Sequence, residues 1–318
     1  MTDNATTFID LFCGMGGFRI AFESQGCKCV YSSDIDEYVC RTYELNFGIF
    51  PKSDITKVSS TDIPDFDILC AGFPCQPFSV AGKRLGFADT RGTLFFDVAR
   101  ILNDKKPTAF ILENVKGIVN HDGGKTLSVI LETLDELGYD VEWRVLNSKD
   151  YGVPQNRERW YCIGIKKELG IKFSLFPNKK PLEYKLSNII QLCDVDGSYK
   201  SSSICLRNIQ KHIDAKQINV TDSTLAYEIR PSRCQFAVND ISPCLTAKMG
   251  TGGNNVPVVI MQKRRLTERE CLRIMGYPDT YKVFTGHHTY KQIGNSVVVP
   301  IITELAKKLV QTLQGVKK

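Results

Sequence analysis

Cys75 lies in Gly72-Phe73-Pro74-Cys75-Gln76-Pro77, directly after the apolar run Phe66-Asp67-Ile68-Leu69-Cys70. Pro74 has no backbone N–H to extend a ladder or a helix, so a strand ends there and a loop begins. A thiol at that point, followed by the long polar, glycine-containing stretch 76–92, is placed to attack a substrate rather than to fill a core. The competing reading, an inert buried cysteine, fits Cys13, Cys70 and Cys162, each set in or against an apolar run. Ala109-Phe110-Ile111-Leu112 reads as a second buried strand, with Glu113-Asn114 where it ends. Ligands of doubly wound sheets bind at the carboxyl ends of strands, so Cys75 and Glu113 are expected to share a cleft. Taken alone, Glu113 would read as a helix cap or a surface acid.

Three further groups fit such a cleft. Gly14, Gly16 and Gly17 fall in a strand-to-helix turn, where small residues let backbone amides approach a ligand. Asp34, 20 residues after Gly14 and just past a second strand, could accept both hydroxyl hydrogen bonds of a ribose. Arg157 and Arg159 should point to the same side of an extended segment, because strand side chains alternate. The competing readings are a ligand-free tight turn and a solvated Arg-Glu-Arg strand. Cys27 and Cys29, spaced C-x-C, and four histidines show no zinc-type spacing, so no metal site is expected.

In order along the chain, Phe8-Ile9-Asp10-Leu11-Phe12-Cys13-Gly14-Met15-Gly16-Gly17, Pro74-Cys75-Gln76, Glu113-Asn114-Val115, Gln155-Asn156-Arg157-Glu158-Arg159 and Gly294-Asn295-Ser296-Val297 resemble the motifs of DNA (cytosine-5) methyltransferases. The resemblance runs over nearly the whole chain and is strongest to the short bacterial enzymes of restriction-modification systems. It implies methyl transfer from S-adenosylmethionine to carbon 5 of a flipped-out cytosine in duplex DNA, with Cys75 bonded transiently to carbon 6. Glu113 would then bind ring nitrogen 3 and the exocyclic amine. Arg159 would contact oxygen 2, and Arg157 would orient Glu113 or the sulfur.

For the cofactor the resemblance implies Phe12, Gly14, Gly16, Gly17, Asp34, Ile35, Asp54, Ile55, Pro74, Leu94, Asn295 and Val297. Where the family commonly has a glutamate followed by an aromatic residue, this chain has Asp34-Ile35, so Phe12 and Ile55 become the expected apolar contacts. Asp54 would meet the adenine amine, or simply form a turn in Ser53-Asp54-Ile55. Expected DNA contacts are Ser79, Lys83 and Arg84 in the loop after Cys75, and Arg230, Arg233, Lys248, Gly252 and Gly253 in a variable target-recognition region. Cys244-Leu245 stands where the family has Thr-Leu.

The elements that must position these groups alternate in the first half. Strands are expected over 8–12 and 29–32 and ending near Ala71 and Leu112, with helices over 18–24, 37–46 and 125–137. Such an order predicts an α/β fold: a Rossmann-like methyltransferase sheet, parallel and covered by helices on both sides, with a smaller, irregular target-recognition domain. Residues 1–186 form the expected catalytic and cofactor-binding domain, 187–266 the recognition domain and 267–294 a hinge. Residues 295–318 return to the first domain through a final helix near 300–313.

The chain's 318 residues, with 41 Lys and Arg against 35 Asp and Glu, carry a net charge of +6, which suits a polyanionic partner without demanding one. No signal-like amino terminus or long apolar run is evident, and twelve cysteines without a repeated spacing point to reduced thiols. The expectation is a cytoplasmic, nucleoid-associated monomer without membrane contact, paired functionally with a restriction endonuclease but not bound to it. A tRNA cytosine-5 methyltransferase, a catalytically silent DNA-binding regulator and a cysteine-rich metal or redox protein are the competing readings.

Overall fold

The computed structural model describes residues 5–74, 94–182, 184–191 and 195–316. Cys75, Ser79, Lys83 and Arg84 lie outside them. The strands of the first half are β1 (Thr7–Leu11), β2 (Lys28–Ser33), β3 (Ile68–Gly72), β4 (Ala109–Val115), β5 (Tyr139–Asn147) and β6 (Glu158–Lys166). They form one sheet in the order β2-β1-β3-β4-β6-β5. The first four are parallel, but β6 runs antiparallel to β4 and β5 antiparallel to β6. The expected all-parallel sheet is thus corrected to a mixed one. The chain passes from β5 back into β6 through a hairpin-like return instead of a helical crossover, so β5 keeps the direction of the first four strands and β6 alone, inserted between β4 and β5, is reversed.

Helices α1 (Gly17–Glu23), α2 (Glu37–Phe47), α3 (Leu94–Lys105) and α4 (Lys125–Glu136) alternate with these strands. Side-chain alternation splits the sheet between two apolar layers. Ile9, Leu11, Leu69, Ala71, Phe110 and Leu112 face α3 and α4, packing with Val98, Leu102, Ile130 and Leu134. Phe8, Ile68, Cys70, Ile111 and Ile163 face the other way, into a cluster holding Phe18 and Phe22 of α1. Cys70 and Cys162 are fully buried and Cys13 nearly so, as their apolar settings foretold.

The second half holds α5 (Leu186–Ile189), α6 (Ser203–Lys216), β7 (Leu225–Tyr227), β8 (Gln235–Ala237), β9 (Val258–Val259) and β10 (Arg264–Arg265). These four short strands form an antiparallel sheet in the order β10-β9-β7-β8, so the region expected to be irregular has a small sheet of its own. It also has its own apolar cluster, formed by Cys205, Ile209, Ala226, Ile229, Cys234 and Val258. Then follow α7 (Glu268–Ile274), α8 (His287–Asn295) and α9 (Val299–Val316). Thr267 caps α7 reciprocally with Glu270, whose carboxylate also pairs with Arg264 at 2.7 Å. Ile302, Leu305 and Leu309 of α9 share the cluster of Phe18 and Phe22 of α1.

Where α8 meets the segment after Leu245, backbone touches backbone. A Cβ on Gly294 would lie 2.1 Å from the Thr246 carbonyl carbon and 2.3 Å from the Ala247 nitrogen. Gly294→Ala must push the two chains apart, and we expect a loss of about 1–3 kcal/mol, read as a lower denaturant midpoint at unchanged m-value.

Candidate functional site

The carboxyl ends of β3 and β4 lie side by side, with Gly72 opposite Glu113. Glu113 was expected where β4 stops, but the strand runs on to Val115, because the antiparallel partner β6 keeps pairing through Asn114↔Trp160 and Val115↔Arg159. Glu113 is therefore held by ladder hydrogen bonds on both flanks, and only 8% of it is exposed. Its Oε1 lies 3.3 Å from Arg159 Nε, both side chains being largely buried. Burial pushes the Glu113 carboxyl above the usual glutamate range, while the Arg159 and Arg157 guanidiniums hold it back.

Asn114, mentioned in the sequence reading only as part of a motif, has a definite task. Its Nδ2 donates to the Phe73 carbonyl at 2.9 Å, and its Oδ1 accepts from the Val115 N–H at 2.8 Å. This ties the exit of β3, which leads through Pro74 to Cys75, to the end of β4. A buried polar side chain at the end of an apolar strand was the available signal.

Arg157 and Arg159 do point to one side, yet their partners differ. The guanidinium of Arg157, 2% exposed, donates to the carbonyls of Leu245 at 2.6 Å, Gly294 at 3.1 Å and Ser296 at 2.7 Å. Its hydrogen bonds thus go to the segment at Leu245 and to the exit of α8, and none goes to the Glu113 carboxyl. Gln155 makes a parallel clasp, accepting from Leu245 N–H at 3.1 Å and donating to the Ile274 carbonyl at 3.2 Å. Neither link was legible from spacing, since the carbonyls concerned are 88–139 residues away.

At the glycine turn, Phe12, Gly14 and Gly16 all adopt positive φ. Only Gly14 leaves open space: a Cβ there would meet nothing nearer than the Phe12 carbonyl at 3.8 Å. At Gly16 it would strike Phe47 at 2.4 Å, and at Gly17 Val297 at 2.5 Å. Protein packing requires those two glycines. The Gly14 N–H donates to Asp34 Oδ2 at 3.0 Å, and the Asp36 N–H to Oδ1 at 2.9 Å. Each Asp34 oxygen retains a lone pair for a ribose hydroxyl.

Ile55 is buried, Phe12 half-buried and Ile35 64% exposed, so apolar surface flanks Asp34. Asp54 accepts from the Thr56 N–H and hydroxyl and pairs with Lys57. Leu94 opens α3, Pro74 is exposed, and Val297 packs on Gly17 and Gly72. Asn295 is exposed at the end of α8. The set accommodates a nucleoside-type cofactor at Gly14 and Asp34.

A cleft of about 520 Å³ adjoins Arg157 on the recognition side, lined by Asn156, Arg230, Arg233, Cys244, Lys248 and Asn255 among others. Arg230 donates to Asn255 Oδ1 at 3.2 Å, and Arg233 pairs with Glu228 at 2.9 Å. Gly252 and Gly253 have positive φ at the rim. Three of the five expected recognition residues, Arg230, Arg233 and Lys248, line this one concavity with only Glu228 opposing their charge. Among the described residues no group of His, Cys, Asp or Glu could hold a metal ion, and no helix is long and apolar enough to cross a membrane.

Residues 6–311 match the family model described as C-5 cytosine-specific DNA methylase. The chain is 43% identical over 316 residues to the type II methyltransferase M.HhaI of Haemophilus parahaemolyticus, covering 96% of this chain and 94% of that protein. To M.HpaII of Haemophilus parainfluenzae it is 41% identical over 330 residues, with 96% and 90% covered. A crystal structure of a Spodoptera frugiperda DNMT2 mutant superposes with a TM-score of 0.72 at 23% identity, over 98% of this chain and all of that one.

Two predictions follow from the geometry at Glu113. Because burial raises its carboxyl above the unfolded value, the folded chain binds that proton more tightly. Stability from this group is therefore complete at low pH and is lost as pH rises through the folded value. Glu113→Gln should flatten that decline in a series of melting temperatures against pH. Asn114→Ala, which unties Phe73, should cost about 1–2 kcal/mol in denaturant unfolding and lower kcat more than it raises the KM for DNA.

Proposed function

Because the chain belongs to the C-5 cytosine-specific DNA methylase family, we propose that its methyl transfer runs through a covalent bond between Cys75 and carbon 6 of the target cytosine. The chain is a DNA (cytosine-5)-methyltransferase of the type II restriction-modification kind. The family takes its methyl group from S-adenosylmethionine, which when bound supplies an electrophilic sulfonium methyl. In this chain Gly14, Asp34 and Ile55 would hold the cofactor's nucleoside part, with Val297 closing the pocket behind Gly17.

The observation that carries the proposal is the buried Glu113–Arg159 pair at the strand ends, beside the β3 exit that leads to Cys75. Carbon 5 of cytosine is too weak a nucleophile to be methylated unaided. The Cys75 thiolate adds to carbon 6, the carbon 5–carbon 6 double bond opens, and carbon 5 gains enamine character. Glu113, sharing its proton with ring nitrogen 3, compensates the charge that this addition places on the ring, and Arg159 donates to oxygen 2. Once carbon 5 carries the methyl group, its proton leaves to solvent base, the double bond re-forms and Cys75 departs as thiolate. None of these groups reaches a stacked base, so the cytosine must rotate out of the duplex. The cleft holding Arg230, Arg233 and Lys248 would grip the DNA as it does so.

Cellular protection of DNA against a partner endonuclease fits this activity, as does action as a monomer. Duplex DNA is the substrate, and tRNA is the comparison to run beside it. Incubation with labelled cofactor should label duplex DNA and leave tRNA unlabelled. Cys75→Ser should lower turnover at least about a thousandfold. DNA carrying 5-fluorocytosine at the target should form a denaturation-resistant adduct with the native chain and none with the variant. A serine variant that still turned over at the native rate would remove the covalent route.

A further inference from the structure

Tyr161 lies directly across from Glu113 in the antiparallel β4–β6 ladder, so both side chains rise from the same face of the sheet. It is fully buried, and its hydroxyl has no hydrogen-bond partner among the described residues. The same holds for Nε of Arg157, whose other two nitrogens are taken by carbonyls. Two buried donors without partners, one just ahead of β6 and one four residues on within it, beside a carboxyl that feels both side chains, call for a shared polar ligand, since each would otherwise bear its full desolvation cost.

Glu113 can meet such a ligand. Its Oε1 faces Arg159, while Oε2 faces Gly72, where even an added Cβ would stop 3.6 Å short of it. The other charged and titratable groups around Tyr161 are accounted for. The hydroxyl feels Glu113, Arg157, Arg159 and Tyr151. Arg144, its partner on β5, pairs with Glu142 and lies over Phe176. The Cys244 thiol lies 3.6 Å from Arg157, and Tyr277 also feels that guanidinium.

We propose that the Tyr161 hydroxyl and the Arg157 Nε–H together hold one water molecule against the Glu113 carboxyl, making Tyr161 a positioning residue for the proton with which Glu113 meets cytosine. The water accepts from Arg157, exchanges a hydrogen bond with Tyr161 and donates to the carboxylate. This network favours the ionised form and so opposes the effect of burial. It keeps the Glu113 proton transferable instead of fixed. The inference rests on the reading of Glu113 given above.

Tyr161→Phe removes one oxygen and keeps the ring. With a donor network weakened, Glu113 holds its proton to higher pH. The alkaline limb of kcat/KM for duplex DNA should then move up by about half a pH unit or more, and the melting temperature should fall. Superimposable pH profiles, or a melting temperature that rises because an unpartnered hydroxyl was removed, would overturn the proposal. Should the variant not fold, a high-resolution crystal structure of the native chain decides: ordered water density bonded to Tyr161, Arg157 and Glu113 supports the bridge, and its absence refutes it. Native enzyme that fails to methylate duplex DNA would instead sink the functional reading itself.

Discussion

The site depends on one antiparallel pairing. Strand β6 enters beside β4 against the direction of the other strands, and this register sets Tyr161 opposite Glu113 and Arg159 opposite Val115. A carboxyl placed at the mouth of a wholly parallel sheet would have no neighbour running back toward it with cations at its start. Here the reversal delivers the first residues of β6, rich in charge, to the end of β4. A slip of one residue would turn Arg159 to the opposite face and leave Glu113 buried without a counter-ion. A buried acid left in that way costs several kcal/mol, so register and site are selected together.

Arg157 extends that constraint beyond the sheet. Its three carbonyl partners come from the recognition segment and the exit of α8, and none is a charged side chain. A guanidinium fits because it is planar, always charged and able to donate in several directions at once; a lysine could not bridge the same three oxygens in one plane. Gln155, two residues earlier, repeats the arrangement with a neutral amide. The start of β6, the segment at Leu245 and the exit of α8 are thereby fixed to one another within a few residues.

Much of this was legible in the sequence. The alternation of apolar runs with amphipathic stretches located β1 to β4 and three of the helices, though not α3; Cys75 stood out by its place after an apolar strand, whereas Glu113 and Arg159 were singled out by the family motifs that hold them. What could not be read was direction and distance. Residues 139–145 alternate apolar Tyr139, Val141, Trp143 and Val145 with charged Asp140, Glu142 and Arg144, a strand pattern not among the expected elements, and the antiparallel return that follows it has no signature in residue type. The carbonyl partners of Arg157 are main-chain atoms, which have no signature in residue identity. The glycines of the turn looked equivalent in sequence, and only packing against Phe47 and Val297 distinguishes Gly16 and Gly17 from Gly14.

The bare contact between Gly294 and the backbone at Thr246–Ala247 bears on how such enzymes could exchange specificity. A foreign reading module spliced into this scaffold would have to present an unobstructed stretch of main chain at that seam, with one carbonyl at the right height for Arg157 and the N–H of the same residue for Gln155. Sequence variation can run freely on the outer loops of the module, but its inner edge is a fixed docking rail. Successful chimaeras should therefore have their junctions inside residues 244–251 retained from the host, with novelty confined to what precedes them.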